Sequence, residues 1–389
     1  MIRKLAINEL QVGMRIIGRG LGWQIEEHTF GEDLDITSAE QIANIAGQGF
    51  TEAFVYLPDP PDTPAQSNGE QPAPPGFHPS APLAEELPKA RALHNQCTKY
   101  AQKFMTDMGN GKFSYDEAEP FVENLLHSTQ RNPGALLSLA QLHQSDSYTY
   151  RHCINVSILS IAVAQYLGKP SNEIFIAGYA GLFHDLGKAL IPQHVLNAQR
   201  KLNPAEFKVI QKHPTMGYNA LLQVPKVQDD VLSATLEHHE KFDGSGYPAG
   251  LCGTSISRIG SIVGMADVYD ALTSKRPYKD AISPSKALGI MFQMQDKAWP
   301  KGLLTEFIQM LGVYPVGSVV ELANGALAIV TDTSESAVKP KVVIVRTPEG
   351  TPTHEQCNLT SYADLTITAA FTPEEKEVDV LGVMEACTQ

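Results

Sequence analysis

Apolar and polar positions change their period three times along the chain. In residues 1–57, short apolar runs are broken by turn residues. Gly13-Met14-Arg15-Ile16-Ile17 and Glu52-Ala53-Phe54-Val55-Tyr56 read as strands, and Ser38 to Ala46 reads as a short helix capped by Ser38. A small α/β or mostly β module is expected there. From Pro58 to Pro82 the pattern stops: nine of 25 residues are proline, and Gln, Ser, Asn, Gly and Glu fill much of the rest, the composition of a semi-rigid spacer. Residues 83–312 return to a spacing of three to four, as in Ile154, Ile158, Ile161, Ala162 and Leu167, which predicts a helical domain. After Tyr314-Pro315 the period becomes that of strands. Val319-Val320-Glu321-Leu322, an Asn324-Gly325 turn and Leu327-Ala328-Ile329-Val330 predict a hairpin, and Val342-Val343-Ile344-Val345 predicts a third strand. A small β module over 313–375 and a frayed acidic tail over 376–389 complete the expectation, so the fold class is mainly α with a small module at each end.

With 389 residues the chain is long enough for two or three domains, and 43% hydrophobic with 19% charged residues is ordinary globular usage. No apolar run reaches the length of a membrane span and none near the start resembles a secretion signal, so the expected location is the cytoplasm. Thirty basic against 43 acidic residues leave a net charge of −13, which repels a polyanion and argues against polymeric nucleic acid as a partner. An anionic substrate would need a local positive site. Five scattered cysteines without a C-x-x-C pair suggest neither a disulfide framework nor a zinc knuckle.

The chemistry concentrates in the helical region. Five of twelve histidines, His152, His184, His213, His238 and His239, fall there with two acids, Asp185 and Asp267. A single histidine is more often a core residue than a ligand, but this grouping of imidazoles and carboxylates is not what a core needs. His184 and Asp185 are adjacent, so they cannot form an i, i+4 ligand pair on one helix face; adjacent ligands at a helix end suit a bridging carboxylate. Gly187 is expected to end that helix, and Lys188 lies four residues after His184, close to the same site. His238-His239 is followed by Glu240-Lys241-Phe242-Asp243-Gly244-Ser245-Gly246-Tyr247-Pro248, a turn whose glycines allow close backbone approach. The remaining seven histidines, including His94, have no matched partners and are read as surface or core residues.

These residues resemble the HD-GYP phosphodiesterases of bacteria, a subgroup of the HD superfamily of metal-dependent phosphohydrolases. The resemblance is carried by His184-Asp185 and Gly246-Tyr247-Pro248, by His213-Pro214, and by the run from Met265-Ala266-Asp267 through Asp270-Ala271-Leu272-Thr273 to Arg276-Pro277-Tyr278-Lys279; it spans about residues 140–290. Leu10-Gln11-Val12-Gly13-Met14 through Ile36-Thr37 is similar to an uncharacterised module that often precedes such domains. The resemblance implies an HD-type helical bundle that hydrolyses cyclic di-GMP, with pGpG or GMP as the final product, by a hydroxide generated at a binuclear metal centre. It implies His152, His184, Asp185 and Asp267 on one ion and Asp185, His213, His238 and His239 on the other, with Asp185 bridging.

The ligand types suit iron or manganese first and zinc or nickel next. A three-metal version of the family has a glutamate where this chain has Tyr148, so two ions are expected. The chain also departs from the family at Ser261 and Lys241, where arginines are common; both lie outside the ligand set. Lys188 would hold the scissile phosphate or protonate the leaving oxygen, and Asp270 would orient the nucleophile or serve as a helix-face ion-pair partner. Arg276 and Lys279 would meet phosphate or guanine, and Tyr247 would stack on a base or close its turn. The alternatives are another 3′,3′-cyclic dinucleotide such as cyclic GMP-AMP, or a receptor or scaffold without turnover. A homodimer or a signalling partner is left open.

Overall fold

The computed structural model describes residues 2–16, 23–25, 28–30, 34–47, 52–56, 77, 79–141, 148–198, 200–275, 280–300, 302–334, 336 and 338–386. The spacer expected over 58–82 therefore lies mostly outside the described residues.

The N-terminal module contains β1 (Ile2–Ala6), β2 (Arg15–Ile16), β3 (Trp23–Ile25), β4 (His28–Phe30), β5 (Leu34–Asp35), α1 (Ala39–Gly47) and β6 (Glu52–Tyr56). β1, β6, β2 and β5 form an antiparallel sheet in that order, and β3 pairs with β4 as a separate hairpin. Ile7, Leu10, Ile16, Ile36, Ile45, Ala53 and Val55 make its own small core. α1 begins where expected because Ser38 Oγ accepts the Gln41 amide (3.3 Å) and Gln41 Oε1 accepts the Ser38 amide (3.2 Å), a reciprocal cap.

The helical region comprises α2 (Leu83–Gly109), α3 (Glu119–Arg131), α4 (Pro133–Gln141), α5 (Tyr148–Tyr166), α6 (Ser171–Phe183), α7 (Gln193–Leu196), α8 (Pro204–Ile210), α9 (His213–Leu222), α10 (Asp229–Glu237), α11 (Arg258–Thr273), α12 (Pro284–Gln293) and α13 (Leu303–Leu311). The periodic segment of α5 is more than amphipathic: from His152 to Ala164 every residue is buried, so α5 is the central helix with neighbours on all sides. Its polar residues are consequently hydrogen-bonded inward; Ser157 Oγ, for example, donates to the Gly178 carbonyl of α6 at 2.8 Å. α2 is locked to α3 by Glu86, whose buried carboxylate accepts a forked pair of bonds from Arg131 (2.7 and 2.8 Å) and one from Ser128 (2.7 Å).

The C-terminal strands β7 (Val319–Leu322), β8 (Leu327–Asp332), β9 (Lys341–Arg346), β10 (Pro352–Asn358) and β11 (Ile367–Phe371) form one antiparallel sheet, ordered β10-β9-β8-β7-β11. Three of the five were legible as apolar runs; β10 and β11 carry mainly half-exposed and exposed residues and gave no such run. Alternation along β7 and β8 divides their side chains between two cores. Val319, Leu327 and Ile329 join the helical core, while Val320, Leu322, Ala328 and Val330 pack on the other face with Val342 and Leu359.

The frayed tail expected from 376 onward is corrected. After α14 (Pro373–Lys376), α15 (Val380–Ala386) buries Val380 and Met384 in the helical core, and Glu385 pairs with Arg91 of α2 at 2.8 Å. A short apolar run flanked by Asp379 and Glu385 had read as part of an acidic tail. Met384→Ala is expected to lower the unfolding free energy by about 2 kcal/mol in chemical denaturation; an unchanged midpoint would show that α15 is not docked.

Candidate metal centre

Five helices bring the titratable residues together. His152 comes from the first turns of α5, His184 and Asp185 from the residues just after α6, His213 from the first residue of α9, His238 and His239 from the end of α10, and Asp267 from the middle of α11. The helix of His184 ends at Phe183, ahead of Gly187, which instead lies in a 3₁₀ turn, Leu186–Leu190. A Cβ on Gly187 would sit 2.0 Å from the His213 carbonyl oxygen and 2.5 Å from the Gly217 amide. The expected helix-ending role is therefore corrected: Gly187 is required because the backbone of α9 crosses there without room for a side chain, and that crossing delivers His213 to Asp185.

Asp185 is the hub and is fully buried. His213 Nε2 lies 3.1 Å and His238 Nε2 3.8 Å from its Oδ1; His184 Nε2 lies 3.4 Å and His152 Nε2 3.5 Å from its Oδ2. Asp267 reaches the same space, with Oδ1 3.1 Å from His152 Nε2 and Oδ2 3.7 Å from His239 Nδ1. The donor atoms fall into two tight groups that share one residue: Asp185, His213, His238 and His239, and His152, His184 and Asp185.

The far side of three rings fixes their tautomers. A carbonyl oxygen can only accept, so Nδ1 carries the proton in His184 (to Gly181, 2.8 Å), His213 (to Ile210, 2.8 Å) and His238 (to Thr235, 3.0 Å). Nε2 of each is then a bare lone pair aimed at an anionic carboxylate. His213 Nε2 and His238 Nε2 are 3.1 Å apart, two lone pairs facing each other. His184 Nε2 and Asp185 Oδ1 are buried with no hydrogen bond. An array of lone pairs and carboxylate oxygens converging without protons fits divalent cations.

Electrostatics agree with that donor set. Burial, reinforced by the neighbouring imidazoles, holds His238 well below its usual pKa; burial also lowers His213 and, against the opposing pull of Asp267, pushes His239 down to about 3. Burial alone would raise the Asp185 carboxyl, but Lys188, His184 and His152 outweigh it and hold it well below the carboxylate range. Burial is likewise overcome at Asp267, chiefly by the hydrogen bond and charge of His152. His213, His238 and His239 are thereby favoured in their neutral form and both carboxylates in their ionised form, the forms that bind metal.

The surrounding residues are placed as follows. Lys188 Nζ binds Asp185 Oδ2 directly. Asp270, expected to orient a nucleophile or pair on a helix face, accepts the His152 Nδ1 proton on Oδ2 (2.6 Å) and an Asn155 amide proton on Oδ1 (2.7 Å), so it stands behind His152. The Tyr247 ring lies on His239, centroids 4.7 Å apart. Its turn is held by Glu240, whose carboxylate accepts the amides of Ala249 (2.7 Å), Gly250 (3.1 Å) and Leu251 (3.0 Å). Gly246 is needed for proximity, since a Cβ there would lie 2.4 Å from the Lys241 nitrogen. The side chain of Tyr148, and Arg276, Tyr278 and Lys279 within 276–279, lie outside the described residues. Asn155 and Glu240 were missed by sequence reasoning because neither belongs to a ligand pattern.

Residues 122–300, which include all seven converging residues, match the HD domain family. An HD domain is therefore what these residues carry. Residues 2–114 match a domain of unknown function, DUF3391, so this match runs beyond the N-terminal sheet and includes α2 of the helical region. A cyclic di-GMP phosphodiesterase of Pseudomonas aeruginosa is 36% identical over 264 residues, 67% of this chain and 64% of that protein. A cyclic di-GMP phosphodiesterase response regulator of Xanthomonas campestris pv. campestris is 42% identical over 212 residues, 54% of this chain and 56% of the relative. A 3′3′-cGAMP-specific phosphodiesterase of Vibrio cholerae is 34% identical over 172 residues, 44% of this chain and 40% of its own length. The chain thus spans less than two thirds of the length of each relative. Among the described residues no helix is long and apolar enough to cross a membrane.

Gly187→Ala is expected to displace His213 from Asp185 and to reduce the metal retained per chain at least tenfold in elemental analysis after gel filtration, as loss of ligand positioning does. Full metal retention in a folded Gly187→Ala protein would contradict the crossing.

Proposed function

We propose that the chain is a metal-dependent phosphodiesterase that opens cyclic di-GMP to pGpG, with pGpG or GMP as the final product. The observation that carries this reading is the sharing of Asp185 between two ligand groups, an arrangement suited to two cations at one phosphate. Similarity to two cyclic di-GMP phosphodiesterases supports the substrate class. Two divalent transition-metal ions are proposed, iron or manganese before zinc or nickel, because neutral imidazole and carboxylate ligands without thiolate fit that range.

His152, His184, Asp185 and Asp267 would hold one ion and Asp185, His213, His238 and His239 the other. Bound there, the ions neutralise phosphate charge and make water acidic enough to attack near neutral pH. Lys188, already on the Asp185 carboxylate, extends a second positive group toward the same space and there holds a scissile phosphate or gives a proton to the departing oxygen. Asp270 keeps the His152 lone pair facing inward by taking the proton on the opposite nitrogen. Local positive charge thereby offsets the overall acidity that would repel the substrate.

A second reading, turnover of 3′,3′-cyclic GMP-AMP, is favoured by the Vibrio cholerae relative, because the metal ligands read phosphates while base-reading residues decide the nucleotide. A cytoplasmic location fits either reading. Protein purified anaerobically without chelator should contain two transition-metal ions per chain and form pGpG from cyclic di-GMP by chromatography, with both lost in His184→Ala/Asp185→Ala. Lys188→Ala should lower turnover about 100-fold with metal retained. A metal-loaded protein that leaves cyclic di-GMP intact but hydrolyses cyclic GMP-AMP would move the assignment to the second reading; one that leaves both intact would refute the enzyme reading and favour a receptor.

A further inference from the structure

His94, which sequence reasoning left without a partner, is buried on α2 at the end of a hydrogen-bonded line that leads to the metal centre. Its Nε2 lies 3.0 Å from Asn155 Oδ1. Asn155 Nδ2 donates to Asp270 Oδ1 at 2.7 Å and to the Ala140 carbonyl at 3.1 Å. Asp270 Oδ2 takes the Nδ1 proton of His152 at 2.6 Å. Every polarity in the line is determined. Two acceptors face the Asn155 nitrogen, so its oxygen must face His94; that oxygen only accepts, so His94 Nε2 carries the proton. All four side chains are less than 10% exposed. Water therefore cannot readily replace a missing member, and an unpaired group there costs its full desolvation.

We propose that His94 is a positioning residue for the metal centre, holding the His152 lone pair toward Asp185 and Asp267 through Asn155 and Asp270. The inference rests on the reading of His152 as a metal ligand. It also explains a mismatch of boundaries: α2 lies outside the HD match at 122–300 and inside the DUF3391 match at 2–114, yet it supplies the last member of a line that ends on a metal-facing histidine. The stretch preceding the HD match is then part of the catalytic unit. Without the His94 donor, the buried Asn155 oxygen loses its partner and the amide turns or tilts. Asp270 Oδ1 is then left with the longer bond from the Ser274 hydroxyl (3.2 Å), and the His152 ring is held less firmly. The effect should fall on the ion of the His152–His184–Asp185 group and spare the ion held by His213, His238 and His239.

The test compares the full chain with His94→Leu, with His94→Gln, whose amide nitrogen supplies the same donor, and with Cys97→Ala, a cavity one turn along α2 and outside the line. Metal release to a chelator is followed by elemental analysis, unfolding by calorimetry, and the His152 Nδ1 proton of chelator-treated protein by nitrogen-15 histidine NMR. His94→Leu should release one of two ions about tenfold more readily, at the lower end of the range for groups behind metal ligands, and should weaken or shift the Nδ1 proton signal. His94→Gln should restore both. Cys97→Ala should lower the unfolding temperature without either change. Wild-type release and an unchanged Nδ1 signal in His94→Leu would overturn the proposal, as would equal behaviour of His94→Leu and Cys97→Ala. A wild-type protein that takes up no metal would defeat the phosphodiesterase reading, while the Nδ1 signal would still decide the positioning role.

Discussion

The bundle is organised around one buried carboxylate. Asp185 sits where four helix ends meet, and placing an ionised acid there is unfavourable unless positive charge comes to it. Lys188 supplies one such charge. The imidazoles supply none in their neutral forms, and their lone pairs add to the negative potential. The site is therefore built for a large local positive charge that the polypeptide itself does not carry, and the surrounding packing keeps the donors from relaxing away from one another. Gly187 is the clearest instance: the helix carrying His213 passes so close to the turn after Asp185 that no side chain fits between them.

The outer side of four of the converging imidazoles is as determined as the inner side. Backbone carbonyls fix His184, His213 and His238, and a carboxylate fixes His152. Helix ends provide unsatisfied carbonyls, which explains why ligands gather there: His184 and His238 each follow the last residue of a helix and bond back to it. The turn after His239 is tied down by Glu240, so Tyr247 rests on His239 in a defined loop. Function and fold thus draw on the same groups.

Much of this was legible in the residues. Histidine and aspartate types, their order and the glycine-rich turn pointed to the seven converging residues, because metal chemistry restricts which side chains serve. The helical region was legible from its period, and β7 to β9 from their apolar runs. What was not legible has a common cause. His94, Asn155 and Glu240 act through tertiary hydrogen bonds, and nothing local distinguishes a histidine that meets a buried amide from one that meets solvent. β10, β11 and α15 are amphipathic at the edge of the molecule, with too few apolar positions to announce an element before the core they cover is known.

The central claim is that two ligand groups share Asp185 and hold two ions. Anomalous X-ray diffraction from crystals of anaerobically purified protein, recorded on both sides of the metal absorption edge, tests it directly. The account predicts two anomalous peaks, one on each side of the Asp185 carboxylate, contacting the Nε2 atoms of His152 and His184 on one side and of His213 and His238 on the other. A single peak, or metal that does not contact Asp185, would contradict it.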